Sequence, residues 1–244
     1  MMLEPDQNRR AVLVQGLALL AASLAIPACT SGRRPSTASL PGPVWPHERS
    51  THTSDAPANK RHTPSASRQT HLGAIPRTQW TRHQPIIAQT NPMVRVESIT
   101  VHHDGMSPAS IRTQADAADR IEMIRSSHVD HRGWADIGYH LVVDPQGRIW
   151  QARPMNLQGA HVKDHNPGNL GVLMLGNFEI QHPTPAAMGS LDGLLAHQAR
   201  AHRVPLSRIR THREWASTAC PGRNLQAHMN ATRASAGNLS ALLA

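Results

Sequence analysis

Two histidines and one cysteine are the residues of this sequence best suited to metal chemistry. His102 and His103 end a β-rich segment. His212 and Cys220 lie further along, in THREWASTACPG, eight residues apart, which is not a helical spacing. Side chains on a strand alternate between faces, and His103 shares its face with two aliphatic residues, which favours a packing role. His102 is therefore the better candidate ligand of the pair.

His102, His212 and Cys220 together would leave the fourth position of a tetrahedral zinc ion for water, which is the arrangement of catalytic zinc sites. A soft thiolate favours zinc over magnesium or calcium. The pattern alone also allows a plainer alternative, in which the cysteine is a small buried hydrophobe and the histidines are only hydrogen-bonded. A disulfide between Cys29 and Cys220 is a further alternative, and it fails if Cys29 carries a lipid.

Two hydroxyl groups could assist such a centre. Tyr139 is the only tyrosine and stands at the start of a predicted strand. Its phenol could donate a hydrogen bond to a developing oxyanion, or it could be an amphipathic core residue. Thr218 precedes Cys220 by two residues, so its hydroxyl would either lie near the metal or hydrogen-bond its own loop.

The elements that must position these residues alternate between strands and helices. This alternation predicts an α/β domain with a mixed central sheet flanked by helices. A hairpin is predicted to close through a type I turn at Asp144-Pro145-Gln146-Gly147. The predicted strands are Val96–His103, Tyr139–Val143, Arg148–Gln151, Leu170–Leu175 and Ile209–His212. The predicted helices begin at Ser107-Pro108, with a stripe of Ile111, Ala115, Ala118, Ile121 and Ile124, and at Thr184-Pro185, with a stripe of Met188, Leu191, Leu194 and Leu195.

The N-terminal part of the chain has the composition of an export segment and a linker. Arg9 and Arg10 precede an apolar run over residues 11–28, as in a secretory signal, and the paired arginines also permit twin-arginine export. The run ends in Ile26-Pro27-Ala28-Cys29, which resembles a lipobox, so Cys29 is a candidate lipidation site. Plain cleavage and a retained anchor are the alternatives. A linker of Pro, Ser, Thr, Arg and His over 30–70, a folded domain over 71–235 and a tail over 236–244 are predicted.

The net charge of the chain limits the classes of molecule that it is expected to bind. The 244 residues carry a net charge of +9, which favours an anionic partner such as nucleic acid, a membrane surface or a wall polymer. No DNA-binding motif is recognisable, and an exported chain rarely meets nucleic acid, so a wall polymer is the simpler partner. Two cysteines exclude a disulfide-stapled scaffold.

Four motifs resemble those of one enzyme family in their order and spacing. They are VHHDGMS, GWADIGYHLVVDPQGRIWQARP, GAHVKDHNPGNLGVLMLGNF and THREWASTACPG. The sequence is similar through them to the zinc N-acetylmuramoyl-L-alanine amidases of the second type, a family that includes amidase-type phage lysozymes and peptidoglycan recognition proteins. The resemblance covers roughly Ile75 to Leu225, and it implies a mixed sheet with zinc at the base of a groove.

The resemblance also assigns roles to individual residues. It implies that His102, His212 and Cys220 bind Zn²⁺ and that Tyr139 is catalytic. Thr218 stands where the phage enzymes carry a lysine and catalytic recognition proteins a threonine.

Three further positions follow from the same comparison of motifs. Leu173 occupies the position at which some relatives carry a glutamate with a general-base role, so the resemblance leaves the general base of this chain open. His161 and Asn166 match positions that line the groove in relatives and are predicted to contact substrate. The alternative is that these two residues order their own loop.

The sequence therefore predicts a zinc hydrolase that cleaves the amide bond between N-acetylmuramic acid and the L-alanine of peptidoglycan or muropeptides, with zinc-activated water as nucleophile. The alternative is a non-catalytic, membrane-tethered peptidoglycan-binding module. Receptors of this fold typically lack the cysteine or the first histidine, both of which are present here. The protein is expected to be a monomer, exported to the periplasm or cell envelope, with an outer-membrane lipid anchor as one form of attachment.

Overall fold

The computed structural model describes residues 73–106 and 111–244. The predicted export segment with Cys29, the linker over 30–70 and the predicted helix start at Ser107-Pro108 lie outside these ranges. Across the two described stretches, no helix combines the length and apolar character that crossing a bilayer requires.

A five-stranded mixed sheet forms the centre of the fold, as the sequence predicts. Its order is β3-β2-β4-β1-β5, and every pairing is parallel except the β2–β3 hairpin. The predicted turn closes that hairpin, because the amide of Gly147 donates to the carbonyl of Asp144 over 2.9 Å. The strands are β1 (Ser98–His103), β2 (Leu141–Val143), β3 (Ile149–Gln151), β4 (Asn169–Met174) and β5 (Ile209–Thr211).

Helices and short helical turns cover both faces of this sheet. The α-helices are α1 (Gln114–Ser126), α2 (Pro185–His202), α3 (Arg223–Arg233) and α4 (Asn238–Leu243). A π-helical turn, Ser127–His131, continues α1, and 3₁₀ turns occupy Arg77–Gln79, Ile87–Gln89, Leu206–Arg208 and His212–Glu214.

The two faces of the sheet pack against different helices. On one face Val101, Val172 and Met174 join a cluster that includes buried residues of α2, α3 and α4. On the other face Leu173 and Trp150 join a cluster that includes the buried side of α1. All six residues of β1 and of β4 are buried. This explains the nearly continuous apolar run of β4, whereas β1 buries polar side chains as well, among them His102 and His103.

Helix α1 begins at Gln114, within the apolar stripe that the sequence predicts. The N-cap is Thr113, whose hydroxyl accepts from the amide of Asp116, while the Asp116 carboxylate accepts from the amide of Thr113. This reciprocal capping box fixes the start of the helix at Gln114. Ile111 of the predicted stripe consequently precedes the helix and Ala115 is exposed, whereas Ala117, Ile121 and Ile124 are the apolar residues that the helix buries.

The other helix start agrees with the prediction, and the C-terminal end of the fold extends beyond it. Thr184 caps α2, its hydroxyl accepting from the amide of Ala187, with Pro185 in the first turn. Residues 236–244, predicted as a tail, contain α4. Leu239 of this helix is fully buried in the cluster on the α2 side of the sheet. The folded part therefore continues past the predicted boundary at residue 235.

Candidate metal centre

The three predicted ligands meet at one edge of the sheet. His102 is the fifth of the six residues of β1, and His212 follows directly after β5, which is the parallel neighbour of β1. Parallel neighbours end at the same edge, so the topology brings the two imidazoles together. Cys220 joins them from the following loop. One ligand atom from each of the three buried residues lies within 4.8 Å of the other two.

A capping box holds the segment that carries His212. Thr211 and Glu214 cap the 3₁₀ turn reciprocally, with the Thr211 amide donating to the Glu214 carboxylate over 2.7 Å. Arg233 of α3 donates to both oxygens of the same carboxylate, over 2.9 and 2.6 Å. A bidentate guanidinium–carboxylate pair restricts the geometry more than a single bond would. His212 therefore projects from a turn that is fixed at both ends.

The loop that carries Cys220 packs closely against the loop after β4. The Cys220 sulfur lies 3.5 Å from the His103 amide, which donates to it. Gly222 has φ = +87°, and a Cβ atom there would lie 2.3 Å from the carbonyl carbon of Phe178. A residue with a side chain would need both an unfavourable backbone conformation and space that is already filled. Glycine at this position is thus a condition for placing the thiol.

The donor atoms fit a tetrahedral zinc ion. The His102 Nδ1 and the Cys220 Sγ are 3.7 Å apart. Bond lengths of about 2.05 Å to nitrogen and about 2.3 Å to sulfur at a tetrahedral angle give a separation of about 3.6 Å. The His212 Nδ1 is buried and has no hydrogen-bond partner in the described part of the chain. A buried imidazole nitrogen without a partner is costly unless a ligand satisfies it.

Burial sets the protonation of the three groups in the absence of metal. It lowers the pKa of His102 well below its usual value, and the neighbouring His212 lowers it further. It also lowers the pKa of His212 to about 4. Both imidazoles are therefore neutral near pH 7 and ready to bind a cation. Burial raises the pKa of the Cys220 thiol to about 12, so a metal ion must displace that proton when it binds.

Tyr139 stands beside the first ligand. Its ring centroid lies 5.1 Å from that of His102 and 5.7 Å from that of His128, and its side chain is almost completely buried. Burial, followed by the nearby Cys220, raises the pKa of the phenol above its usual range. The phenol consequently keeps its proton and can act as a hydrogen-bond donor.

The hydroxyl of Thr218 takes part in the cysteine loop. Its oxygen accepts from the Cys220 amide over 3.2 Å. This bond uses the hydroxyl as an acceptor, so its hydrogen remains available for donation. The hydroxyl thus orders its own loop, and a position near the metal stays a prediction.

Asn166 and His161 make internal contacts. The Asn166 side-chain oxygen accepts from the amides of His161 and Val162, over 2.8 and 2.9 Å, and orders their loop. The ring of His161 is buried, and its nitrogens lie 3.0 Å from the His102 Nε2 and 3.1 Å from the carbonyl oxygen of Asn169. Contact with substrate stays a prediction for both residues.

A buried carboxylate, that of Asp104, lies next to the end of β1, while the position of Leu173 carries no acid. Leu173 is fully buried and pairs in register with His102. Asp104, which was not among the predicted site residues, is buried two residues after that ligand. Its oxygens accept from the Gly176 amide over 3.1 Å and from the Arg120 Nε over 2.9 Å, which ties the end of β1 to the loop after β4 and to α1.

A second hydrogen-bonded group near the centre has no local signal in the sequence. The indole of Trp215 donates to the Thr100 hydroxyl over 2.9 Å, and that hydroxyl donates to the Asn169 side-chain oxygen over 2.9 Å. The three residues come from the loop after β5, from β1 and from β4. This chain of bonds connects the segment of His212 to the strand of His102.

Comparison with known proteins assigns the chain to a family. The family model described as N-acetylmuramoyl-L-alanine amidase, Amidase_2, matches residues 92–223, which is more than half of the chain. The chain belongs to the Amidase_2 family. The matched range contains all three donors of the metal cluster and Tyr139, so the resemblance identified from the four motifs is confirmed.

Relatives of this Amidase_2 chain carry two kinds of name. The chain is 32% identical over 126 residues to peptidoglycan-recognition protein SC2 of Drosophila melanogaster, covering 51% of this chain and 67% of the relative. It is 33% identical over 124 residues to an N-acetylmuramoyl-L-alanine amidase of Sus scrofa, covering 50% of this chain and 21% of that protein.

A solved structure shares the fold. It is a point mutant of Drosophila PGRP-LB in complex with tracheal cytotoxin, a monomeric diaminopimelic acid-type peptidoglycan. The TM-score is 0.59 and the identity 25%, covering 66% of this chain and 96% of the other. The predicted fold class, a mixed sheet with flanking helices, is confirmed for this Amidase_2 domain.

The packing of the cysteine loop gives a first prediction. We expect Gly222→Ala to lower the free energy of unfolding by about 1–3 kcal/mol, because a side chain there meets a strained backbone and the Phe178 carbonyl. Gly189→Ala is the control: nothing lies within 4 Å of its added Cβ, and the residue is exposed in the second turn of α2. That change should stabilise by about 0.5–1 kcal/mol. Urea unfolding measures both, and a Gly222→Ala protein as stable as the parent would contradict the packing argument.

Proposed function

We propose that this chain is a zinc-dependent N-acetylmuramoyl-L-alanine amidase that hydrolyses the amide between the lactyl group of N-acetylmuramic acid and the L-alanine of the stem peptide. One observation carries the proposal: His102, His212 and Cys220 bring three buried donor atoms within 4.8 Å of one another. Within the described residues this cluster has three protein donors, which is the number found in catalytic rather than structural zinc sites.

The three residues of the cluster would each provide one ligand to the metal. Two neutral imidazoles and one thiolate would bind Zn²⁺ and leave a net charge of about +1 at the site. When bound, zinc would polarise the scissile carbonyl and lower the pKa of a water molecule toward ~7, which makes that water a nucleophile at neutral pH. The burial of all three ligand side chains strengthens these electrostatic effects by excluding bulk water.

Tyr139 and Thr218 would stabilise the charge that develops on the carbonyl oxygen. The phenol keeps its proton because it is buried, and it lies beside His102. The Thr218 hydroxyl accepts from the Cys220 amide and can donate its own hydrogen to the oxyanion. Such donors act on the transition state more strongly than on the ground state, so their loss lowers turnover.

Peptidoglycan or a muropeptide is the substrate class that the relatives favour. One is named an amidase, and the structural neighbour was solved with tracheal cytotoxin. The relatives named recognition proteins favour the second candidate, a binding module without catalysis. The presence of all three donors supports the hydrolase, because a module that only binds the wall has no need of a buried cluster of metal ligands.

Export to the cell envelope would bring the domain to this substrate. The apolar run over residues 11–28 and Cys29 support attachment of a lipid to the mature N-terminus, followed by the linker over 30–70. A lipid anchor of this kind would hold the domain at a membrane while the linker lets it reach the wall. The anchored domain would act as a monomer.

Replacing the proposed ligands tests the metal site and the reaction together. We expect the parent protein to bind about one zinc ion and to release stem peptides that begin with L-alanine. His102→Ala and Cys220→Ala should lose both properties, because two donors hold the metal much more weakly than three. Metal analysis and mass spectrometry of digested peptidoglycan measure the outcome.

The exposed His131, outside the cluster, supplies the control His131→Ala. Full activity in either ligand variant would refute the site. Wall binding that persists with chelator and releases no product would favour the binding module instead.

The phenol has a test of its own. We expect Tyr139→Phe to lower kcat by about 10²–10³-fold, since it removes one donor to the oxyanion, while the zinc content stays at that of the parent because the ring still packs beside His102. Steady-state kinetics on a purified muropeptide, with metal analysis of the same sample, separates these effects. A kcat within about twofold of the parent would exclude the phenol from the reaction.

The lipid attachment is tested by fractionation. We expect Cys29→Ser to move the protein from the membrane fraction to the soluble fraction of its host, because serine cannot carry the thioether-linked lipid. Immunoblots of the separated fractions provide the measurement. Membrane association that is unchanged in the variant would show that Cys29 is not the anchor.

A further inference from the structure

The buried ring of His161 connects the first metal ligand to the backbone of β4. Its Nδ1 lies 3.0 Å from the His102 Nε2, and its Nε2 lies 3.1 Å from the carbonyl oxygen of Asn169. The two imidazole planes are almost perpendicular, at 84°, with ring centroids 5.0 Å apart. This edge-on arrangement points a nitrogen of one ring at a nitrogen of the other.

The carbonyl oxygen of Asn169 fixes the direction of both hydrogen bonds of the His161 ring. A carbonyl oxygen can only accept, so the hydrogen between His161 and Asn169 belongs to the His161 Nε2. In a neutral imidazole the other nitrogen is then an acceptor, so the His161 Nδ1 must accept from the His102 Nε2. The His102 Nδ1 is left with its lone pair, and it is this atom that lies 3.7 Å from the Cys220 sulfur. The chain of bonds thus selects the tautomer that can bind a metal.

Two glycines leave the space that the His161 ring occupies. A Cβ atom on Gly159 would lie 2.6 Å from the His161 Cδ2, and a Cβ atom on Gly171 would lie at the same distance. Neither glycine has a positive φ, so the close approach of the ring, rather than the backbone conformation, requires them. A ring held between two backbones in this way has little freedom to rotate.

Further hydrogen bonds hold His161 and Asn169 in place. The amide of His161 donates to the Asn166 side chain over 2.8 Å. The Asn169 side chain accepts from Thr100, which in turn accepts from Trp215 in the loop that follows His212. The position of the His161 ring is therefore set by contacts independent of His102.

We propose that His161 is a positioning residue for the metal centre: it holds the His102 ring in the orientation and tautomer that present Nδ1 to the ligand cluster. The inference rests on the proposed zinc function and adds to it a role that differs from the predicted contact with substrate. Outer partners of metal-bound histidines typically account for 10–100-fold in metal affinity.

His140 provides a matched comparison in the same part of the fold. It is buried like His161, and both of its ring nitrogens are also hydrogen-bonded, to the Gly171 amide over 3.0 Å and to the Leu157 carbonyl over 3.0 Å. These partners are backbone atoms and not a metal ligand. A purely structural role would make the two histidines equivalent in their effect on zinc.

The test compares zinc affinities, measured by competition with a chromophoric chelator. We expect His161→Phe to bind zinc about 10–100-fold more weakly than the parent, because phenylalanine cannot accept from the His102 Nε2. His161→Gln, whose side-chain oxygen can accept that bond, should lie closer to the parent. His140→Phe should change the affinity by less than about threefold. Circular dichroism and thermal unfolding check that each protein is folded.

The outcomes separate this inference from the proposed function. If the parent binds no zinc, the proposed function fails. If the parent binds zinc and folded His161→Phe binds it within about threefold of the parent, or if His140→Phe loses as much affinity, the positioning role is refuted. Should the phenylalanine variant not fold, His161→Ala makes the same comparison, because it also lacks the acceptor.

Discussion

The parallel pairing of β1 with β5 is the constraint on which the site depends. It brings His102, the fifth residue of β1, to the same edge of the sheet as His212, the first residue after β5. Neither imidazole could meet the other if this pairing were antiparallel, because the two strand ends would then lie at opposite edges. The loop to Cys220 adds the third donor to a geometry that the sheet has already set.

Burial keeps the imidazoles of the cluster neutral, and hydrogen bonds to their ring nitrogens reduce the free-energy penalty of burying them. An imidazole away from water favours its neutral form, which is the form that binds a metal. A buried polar nitrogen without a partner destabilises the fold, however, and most of the buried rings here avoid that cost. His161 bonds at both nitrogens, and His102 bonds at Nε2. The His212 Nδ1 lacks a hydrogen-bond partner within the described ranges, so a bound ligand would have to supply one.

The sequence predicted the elements that have local signals and missed the contacts that do not. The strands follow from apolar runs, and Thr184-Pro185 marks a helix start that the structure shares. The capping box of Thr113 and Asp116, which begins α1, was missed, although both of its residues are visible in the sequence. The other predicted helix start, at 107–108, lies outside the described residues. The bond between His161 and His102 spans 59 residues, and no periodicity or spacing within a single segment could indicate it.

The two consecutive histidines at the end of β1 have different roles, because their side chains point to opposite faces of the sheet. His102 points to the α1 side of the sheet and contributes the ligand atom. His103 points to the other side, where its Nδ1 accepts from the Phe178 amide, and its own amide donates to the Cys220 sulfur. The backbone of Phe178 is also the surface against which Gly222 packs. The strand alternation that makes His103 unsuitable as a ligand therefore places it where it contacts the loop of Cys220. Two adjacent residues of β1 thus provide one metal ligand and a contact that positions another.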